Sequence, residues 1–166
     1  MSQYSVRVVA TGSVWIGKGI GSVASAIEEL LSGADDEVQI ASYALGEARD
    51  LLRLIESCLG RGVRVTMIVN KLRNQPVNTT SRILRLRSRF RHFELMSFDP
   101  PESEDLHAKI IVADRSKAIV GSANPSQRGL FRNHEIALVI SGEAAEQIAD
   151  LIDALASARF STRVET

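Results

Sequence analysis

Apolar residues in this chain recur at two spacings, and the spacing changes from segment to segment. In SVASAIEELLSGA, Val23, Ile27, Leu30 and Leu31 fall at helical intervals and Gly33 supplies a stop, which predicts a first helix. EVQIASYAL alternates and then turns uniformly apolar, as an interior strand does, and EARDLLRLIESCLGRG follows as an amphipathic helix closed by Gly60 and Gly62. VRVTMIVN predicts the next strand. Beyond the turn-rich KLRNQPVNTT lie a helical SRILRLRSRF, a strand around HFELMSF and the loop DPPESED. The last third reads as strand HAKIIVAD, turn RSK, strand AIVGSA, a loop, strand HEIALVI and the closing helix EAAEQIADLIDALAS. Strand and helix alternate without internal repeat or low-complexity linker, which predicts an α/β layer protein. Residues 1–20 yield no assigned element.

Composition adds bounds rather than detail. With 166 residues and 45% hydrophobic content, the chain fits one compact domain over residues 1–166. Lys plus Arg and Asp plus Glu both total 20, so attraction to a polyanion must come from how charge is distributed. The single cysteine, Cys58, lies in an apolar helical pattern and reads as a buried thiol. The N-terminus lacks a basic region followed by an apolar core, and no apolar run is long enough to span a bilayer. These features predict a cytoplasmic protein that does not use a membrane.

The candidate chemistry sits in LHAKIIVADRSKAIVGSAN, residues 106–124, where polar groups thread two apolar strands. Residues two apart on a strand share a side, so His107 and Lys109 project together. An imidazole is a nucleophile or proton donor at neutral pH, and an ammonium beside it is a fixed positive charge. That combination suits an anionic, electrophilic substrate. A phosphodiester meets the description, because its displacement spreads negative charge over oxygens that Lys109 and Asn124 can stabilise.

His107-x-Lys109, four residues, Asp114, six residues and Gly121-Ser122-x-Asn124 resemble the signature of the phospholipase D superfamily at each fixed position. Glu135 stands where the small bacterial nucleases of that superfamily carry a glutamate that holds the catalytic histidine. The resemblance implies an α/β fold with a mixed β-sheet sandwiched between helices on both faces. It implies attack on phosphorus by His107 to give a phosphohistidine. Lys109 and Asn124 would hold the phosphate oxygens, and Ser122 would add a hydroxyl or backbone donor. For Asp114 it leaves two roles open, orienting a histidine or supporting the structure, and the residues themselves leave a third, a surface salt bridge. No metal and no cofactor are implied. The other histidines, His92 and His134, lack ligand spacing, and His134 points to the opposite strand face from Glu135.

Large members of the superfamily carry the motif twice, one histidine attacking while the other protonates the leaving oxygen; this chain has one copy. The small nucleases solve this by pairing two chains about a twofold axis, so the resemblance predicts a homodimer with one neutral and one protonated imidazole at a shared site.

The substrate is addressed by charge. From Lys71 to His92 the chain carries Lys71, Arg73, Arg82, Arg85, Arg87, Arg89 and Arg91 without an acid. A helix sets Arg82, Arg85 and Arg89 on one face and leaves Ile83, Leu86 and Phe90 for the core, a layout suited to a nucleic-acid backbone, and equally that of a solvated face. The acidic loop from Asp99 to Asp105 is either a polar connection or a cover that repels nucleic acid until a partner moves it. Near the N-terminus, GSVWIGKG is one residue short of a phosphate-binding loop, and GIGSVA copies a dinucleotide fingerprint without its later acid. The glycines around Trp15 read instead as a mobile segment at the mouth of the site or a dimer contact. The expected function is a metal-independent endonuclease for DNA or RNA, serving a bacterial restriction or defence assembly together with other subunits. The alternatives are a lipid phosphodiesterase or phosphatidyltransferase, and a catalytically idle interaction module.

Overall fold

The computed structural model describes residues 4–165; the remaining ends of the expected 1–166 domain lie outside the described residues. Thirteen helices and strands follow in the order β1 (Ser5–Thr11), α1 (Val23–Ser32), β2 (Glu37–Ser42), α2 (Arg49–Gly60), β3 (Arg64–Asn70), α3 (Val77–Arg89), β4 (Phe93–Phe98), β5 (Lys109–Ala113), β6 (Lys117–Gly121), α4 (Gln127–Phe131), β7 (Glu135–Ser141), α5 (Glu143–Ala156) and β8 (Ser161–Arg163). All the strands join one mixed sheet in the order β1-β7-β6-β5-β2-β3-β4-β8.

The chain first lays down parallel β2, β3 and β4, with α2 and α3 as crossovers, then adds β5, β6 and β7 antiparallel on the other side of β2. β3 is buried on both faces past its first residues, which explains its apolar run, and β2 buries the polar Gln39 and Ser42 along with Val38, Ile40 and Ala41. One face of the sheet meets α1, α2 and α3 in a core holding Leu31, Ile40, Ile55, Met67, Ile83 and Leu95. The other face meets α5 through Ala41, Ile68, Val112, Ala118, Ala149 and Ile152. Helices therefore cover both faces of a mixed sheet, as the resemblance implies.

Three elements escape the sequence pattern. β1 buries only Val9 and Thr11 and pairs along β7 from Ser5↔Ser141 to Thr11↔Glu135 as an edge strand. β8 has three residues, and α4, capped by the Ser126 hydroxyl on Gly129 N–H at 3.2 Å, is one short turn inside the segment read as a loop. β1 and β8 are set by tertiary pairing and α4 by its local cap, none of them by apolar periodicity.

Candidate active site

The carboxyl ends of β2 and β3, the start of β5 and the β6–β7 connection converge at one end of the sheet. β5 enters opposite Ser42, and Tyr43 N–H extends the pairing by donating to Ala108 O at 2.9 Å. His107 lies two residues before the strand, exposed, with its ring against that of Tyr43 at a centroid separation of 4.4 Å. Lys109 Nζ lies 3.3 Å from His107 Nδ1, donates to His107 O at 3.1 Å and sits 5.3 Å from the Tyr43 ring centroid. Burial lowers the Lys109 pKa from the usual lysine range, and the nearby Glu135 carboxylate partly restores it.

Gly121 leads β6 into the second half of the motif, and no side chain fits there: a Cβ would lie 2.5 Å from Ala137 Cβ and Ile136 O. The close approach joins Ser122 to β7. Ser122 N–H donates to Ile136 O at 3.0 Å, Ile136 N–H donates to Ser122 Oγ at 3.2 Å, and the Ser122 hydroxyl donates to Glu135. Glu135 also accepts from Asn133 Nδ2 at 3.1 Å. Among the described residues its carboxylate bonds Ser122 and Asn133, while His107 Nδ1 faces Lys109. Asn124 Oδ1 is buried and accepts no hydrogen bond from the described residues. Its backbone is fixed by Ser126 N–H on Asn124 O at 2.8 Å and by Gly129, which packs so tightly on that carbonyl that a Cβ has no room.

Asp114 is not part of this cluster. It lies at the far end of β5, roughly 20 Å of extended chain from His107. Asp114 and Arg115 both adopt left-handed conformations, φ 51° and 53°, in the three-residue connection Asp114–Ser116 joining β5 to β6. The Asp114 carboxylate accepts from the backbone N–H groups of Asp35, Asp36 and Glu37 at 3.0, 2.8 and 3.0 Å, tying the turn to the α1–β2 connection. Burial alone would raise its pKa, but these three donors and Lys117 carry it below the usual carboxylate range. The position is a structural anchor.

The basic stretch divides in the same way. Ile83 and Leu86 of α3 are buried, and Arg82, Arg85 and Arg89 are exposed around a groove of about 410 Å³ shared with Leu52 and Glu56. Arg89 is held by Glu56 at 2.6 Å, an acid from α2 that the acid-free sequence run conceals. His107 is not among the residues that line this groove. Lys71, at φ 43°, donates to Asp105 Oδ1 at 2.8 Å and to Glu104 O at 3.1 Å, so it restrains the acidic loop. Asn70 completes the clamp, donating to Asp105 at 3.0 Å and accepting from Leu106 N–H at 2.9 Å. Hydrogen bonds from Lys71 and then Asn70 lower the Asp105 pKa. The segment leading into His107 is thus pinned to the end of β3.

The glycine-rich segment forms a short turn at Ser13–Trp15, with Gly12 packed against His134 and Trp15 edge-on to the same ring at 5.5 Å. His92 is remote, its Nε2 on Leu59 O at 2.9 Å. Among the described residues no group of three or more His, Cys, Asp or Glu is arranged to hold a metal ion, and no helix is long and apolar enough to cross a membrane. Four contributors lie outside the motif: Tyr43, Asn70, Lys71 and Gly129. Their one signal in sequence is position, at the ends of predicted strands or in the loop after the second half-motif.

A family model described as cardiolipin synthase, PLD-like domain, matches residues 27–157. Over 144 residues the chain is 30% identical to DISARM protein DrmC of Bacillus paralicheniformis, covering 85% of this chain and 59% of that protein. Over 140 residues it is 29% identical to cardiolipin synthase A of Buchnera aphidicola, covering 82% of this chain and 27% of that one. The chain thus spans less than two thirds of the length of either relative. The fold matches that of Nuc, a phospholipase D family member from Salmonella typhimurium, with a TM-score of 0.79, 17% identity, and coverage of 99% of this chain and 100% of that one.

Proposed function

Because the chain belongs to the phospholipase D superfamily, whose members are phosphodiesterases and phosphotransferases, we propose that it is a metal-independent endonuclease acting at a site shared by two copies. The observation that carries this reading is the pairing of one exposed imidazole with one ammonium, His107 Nδ1 and Lys109 Nζ lying 3.3 Å apart. A nitrogen of His107 bonds to phosphorus as the bond to the leaving oxygen breaks, and His107 of the partner subunit gives that oxygen its proton. The same ring then takes a proton from water, whose oxygen displaces the phosphohistidine nitrogen and restores His107. Lys109 and the Asn124 amide stabilise the charge on the nonbridging oxygens, and the Ser122–Glu135 pair holds the motif's second half against β7.

Nucleic acid is supported as substrate by exposed arginines on two elements, Arg82 and Arg85 on α3 and Arg128 and Arg132 around α4, none of them in an ion pair with a described residue. The likeness to a DISARM protein supports a place in a defence assembly. The likeness to cardiolipin synthase A favours a second reading, a lipid phosphodiesterase or phosphatidyltransferase, to which the exposed Val14, Ile16 and Ile20 near Trp15 lend a candidate apolar contact. Purified protein incubated with plasmid, single-stranded DNA, RNA and phosphatidylcholine, each with chelator, separates the two. Cleavage of a nucleic acid that disappears in His107→Ala supports the nuclease. Turnover of the lipid alone overturns it, and His107→Ala activity equal to wild type overturns both.

A further inference from the structure

The end of the sheet opposite the candidate active site is rich in guanidinium groups. β2 starts there at Glu37, β3 at Arg64 and β4 at Phe93, and β8 runs toward it to Arg163. A cleft of about 220 Å³ lies among these strand ends and the end of α3, lined by Arg64, Arg87, Arg91 and Arg163 together with Glu37 and Glu94. The length of β3, roughly 20 Å of strand, separates it from Asn70 at the other end.

The four arginines are not equivalent. Glu37 and Glu94 each take one: Arg64 lies 3.4 Å from Glu37, its cross-strand neighbour, and Arg163 Nε donates to Glu94 at 2.9 Å. Glu37 also lies 3.7 Å from Arg115. Arg87 and Arg91 make no ion pair with a described residue. Two positive charges are therefore uncompensated in the cleft, although over the whole chain cations and acids balance at 20 each. Arg87 is half-buried, and its Nε is shielded from solvent and donates to no described residue. Buried donors are normally paired, so a guanidinium placed this way fits an acceptor that arrives with a ligand. An arginine in the last turn of a helix also offsets the helix dipole, which accounts for Arg87 as part of α3. It does not account for Arg91, which lies beyond the helix, or for the cleft the two share.

We propose that this cleft is a second anion site, remote from His107, that takes a phosphate monoester. A monoester carries a charge of about −1.5 to −2 near pH 7, which matches the two free guanidinium groups, whereas the diester proposed for the active site carries a single charge. Two arginine forks bracket the oxygens of one phosphoryl group through paired N–H···O bonds. The cleft is smaller than the roughly 300–1,000 Å³ of cavities that enclose a drug-sized molecule, so it suits a compact head group. Of the aromatic rings in its lining, Phe93 is buried, and His92 is tied to Leu59 O at 2.9 Å and packed edge-on to Phe90. No ring is offered for stacking, and recognition rests on the phosphoryl group itself. That group is carried by a small ester or by the end of a nucleic acid, and the test separates the two.

Isothermal titration calorimetry on the whole chain carrying Lys109→Gln, which removes the cation of the active site, tests this. Methyl phosphate should bind saturably, and dimethyl phosphate should bind at least about 10-fold more weakly. Adding Arg91→Gln, at an exposed and unpaired position, should weaken methyl phosphate binding about 10-fold, and Arg87→Gln/Arg91→Gln should abolish it, while Arg85→Gln should leave it unchanged. Should the double variant fail to fold, Arg91→Gln alone decides. Absence of saturable binding, an affinity that Arg91→Gln leaves intact, or binding present in wild type and lost in Lys109→Gln overturns the site. In His107→Ala, which leaves nucleic acid uncleaved, a short DNA with a 5′-phosphate is compared with the same DNA ending in a 5′-hydroxyl. Tighter binding of the phosphorylated strand, with the gain lost in Arg91→Gln, assigns the site to nucleic-acid ends, and equal affinities assign it to small esters. Failure of the nuclease reading leaves the methyl phosphate result standing, because that measurement involves no turnover.

Discussion

The ring of Tyr43 rests on the imidazole of His107, centroids 4.4 Å apart and planes inclined at 52°, while Lys109 Nζ lies 5.3 Å from the same ring. One aromatic at the end of β2 therefore limits the rotation of the imidazole proposed as nucleophile and backs the cation that accompanies it. Tyr43→Phe keeps the ring and should keep the rate. Tyr43→Leu should lower kcat about 10-fold, or about 1.4 kcal/mol of barrier, with KM nearly unchanged. An equal loss in both variants would show that the ring is not the operative part.

Burial holds the Lys109 pKa below that of an ordinary lysine, about 10.4, and Glu135 opposes the shift. The charged form is the one that stabilises phosphate oxygens, so activity should fall on the alkaline side at a pH below that value. Glu135→Gln removes the opposing charge and should move this limb lower still. In Lys109→Arg the cation no longer titrates, and whatever rate survives should lack the limb. A pH–rate profile with the same alkaline limb in Lys109→Arg would assign it to another group.

Arg85 and Arg89 share a helix face, yet only Arg89 is held by an acid, Glu56 at 2.6 Å. A phosphate contact adds about 0.9 to the slope of log affinity against log salt. Arg85→Ala should therefore lower that slope by nearly the full amount for DNA binding, and Arg89→Ala by less, because Glu56 already neutralises part of its charge. Equal changes would show that the Glu56 pair opens on binding, and no change in either would remove α3 from the binding surface.

Asp114 supports the fold through three backbone donors. Asp114→Asn keeps at most part of that set, and a loss of about 1–3 kcal/mol is expected at neutral pH. Because the folded pKa is lowered, the carboxylate's contribution is present above the unfolded value of about 3.9 and fades as pH falls through the folded one. The stability gap between wild type and variant should thus narrow below about pH 4, as read from denaturant midpoints. A gap independent of pH would mean that the charge is immaterial.

The motif residues were legible because they sit on or beside strands, where parity puts His107 near Lys109 and sets Gly121 and Glu135 toward the same side. The superfamily fold was legible for a related reason, the alternation of apolar strands with amphipathic helices. What supports the site was not. Tyr43, Asn70 and Lys71 reach it from connections 36 to 64 positions earlier in the chain, and Glu56 finds Arg89 only once α2 and α3 pack. β1 was missed although Ser5, Val6, Arg7 and Val8 alternate, because the alternating valines are exposed and only Val9 and Thr11 are buried. Asp114 shows the converse: a residue at a motif position whose bonds all belong to the turn and the α1–β2 connection.

Gly129 offers a test of how the motif's second half is held. It lies in α4 against Asn124, where an added Cβ would overlap the Asn124 carbonyl oxygen and lie 3.1 Å from the Asn124 backbone nitrogen. Gly129→Ala must shift either the helix or the loop, at about 1–3 kcal/mol for an overpacked site. The helix is fixed by the Ser126 cap and by buried Leu130, so the loop carrying Asn124 is the part that yields. Activity should then fall further than thermal stability explains. If the effect runs through Asn124, adding Gly129→Ala to Asn124→Ala should cost little more than Asn124→Ala alone, since the displaced amide is already gone. Losses that simply multiply in the double variant would show that Gly129 acts on something other than Asn124.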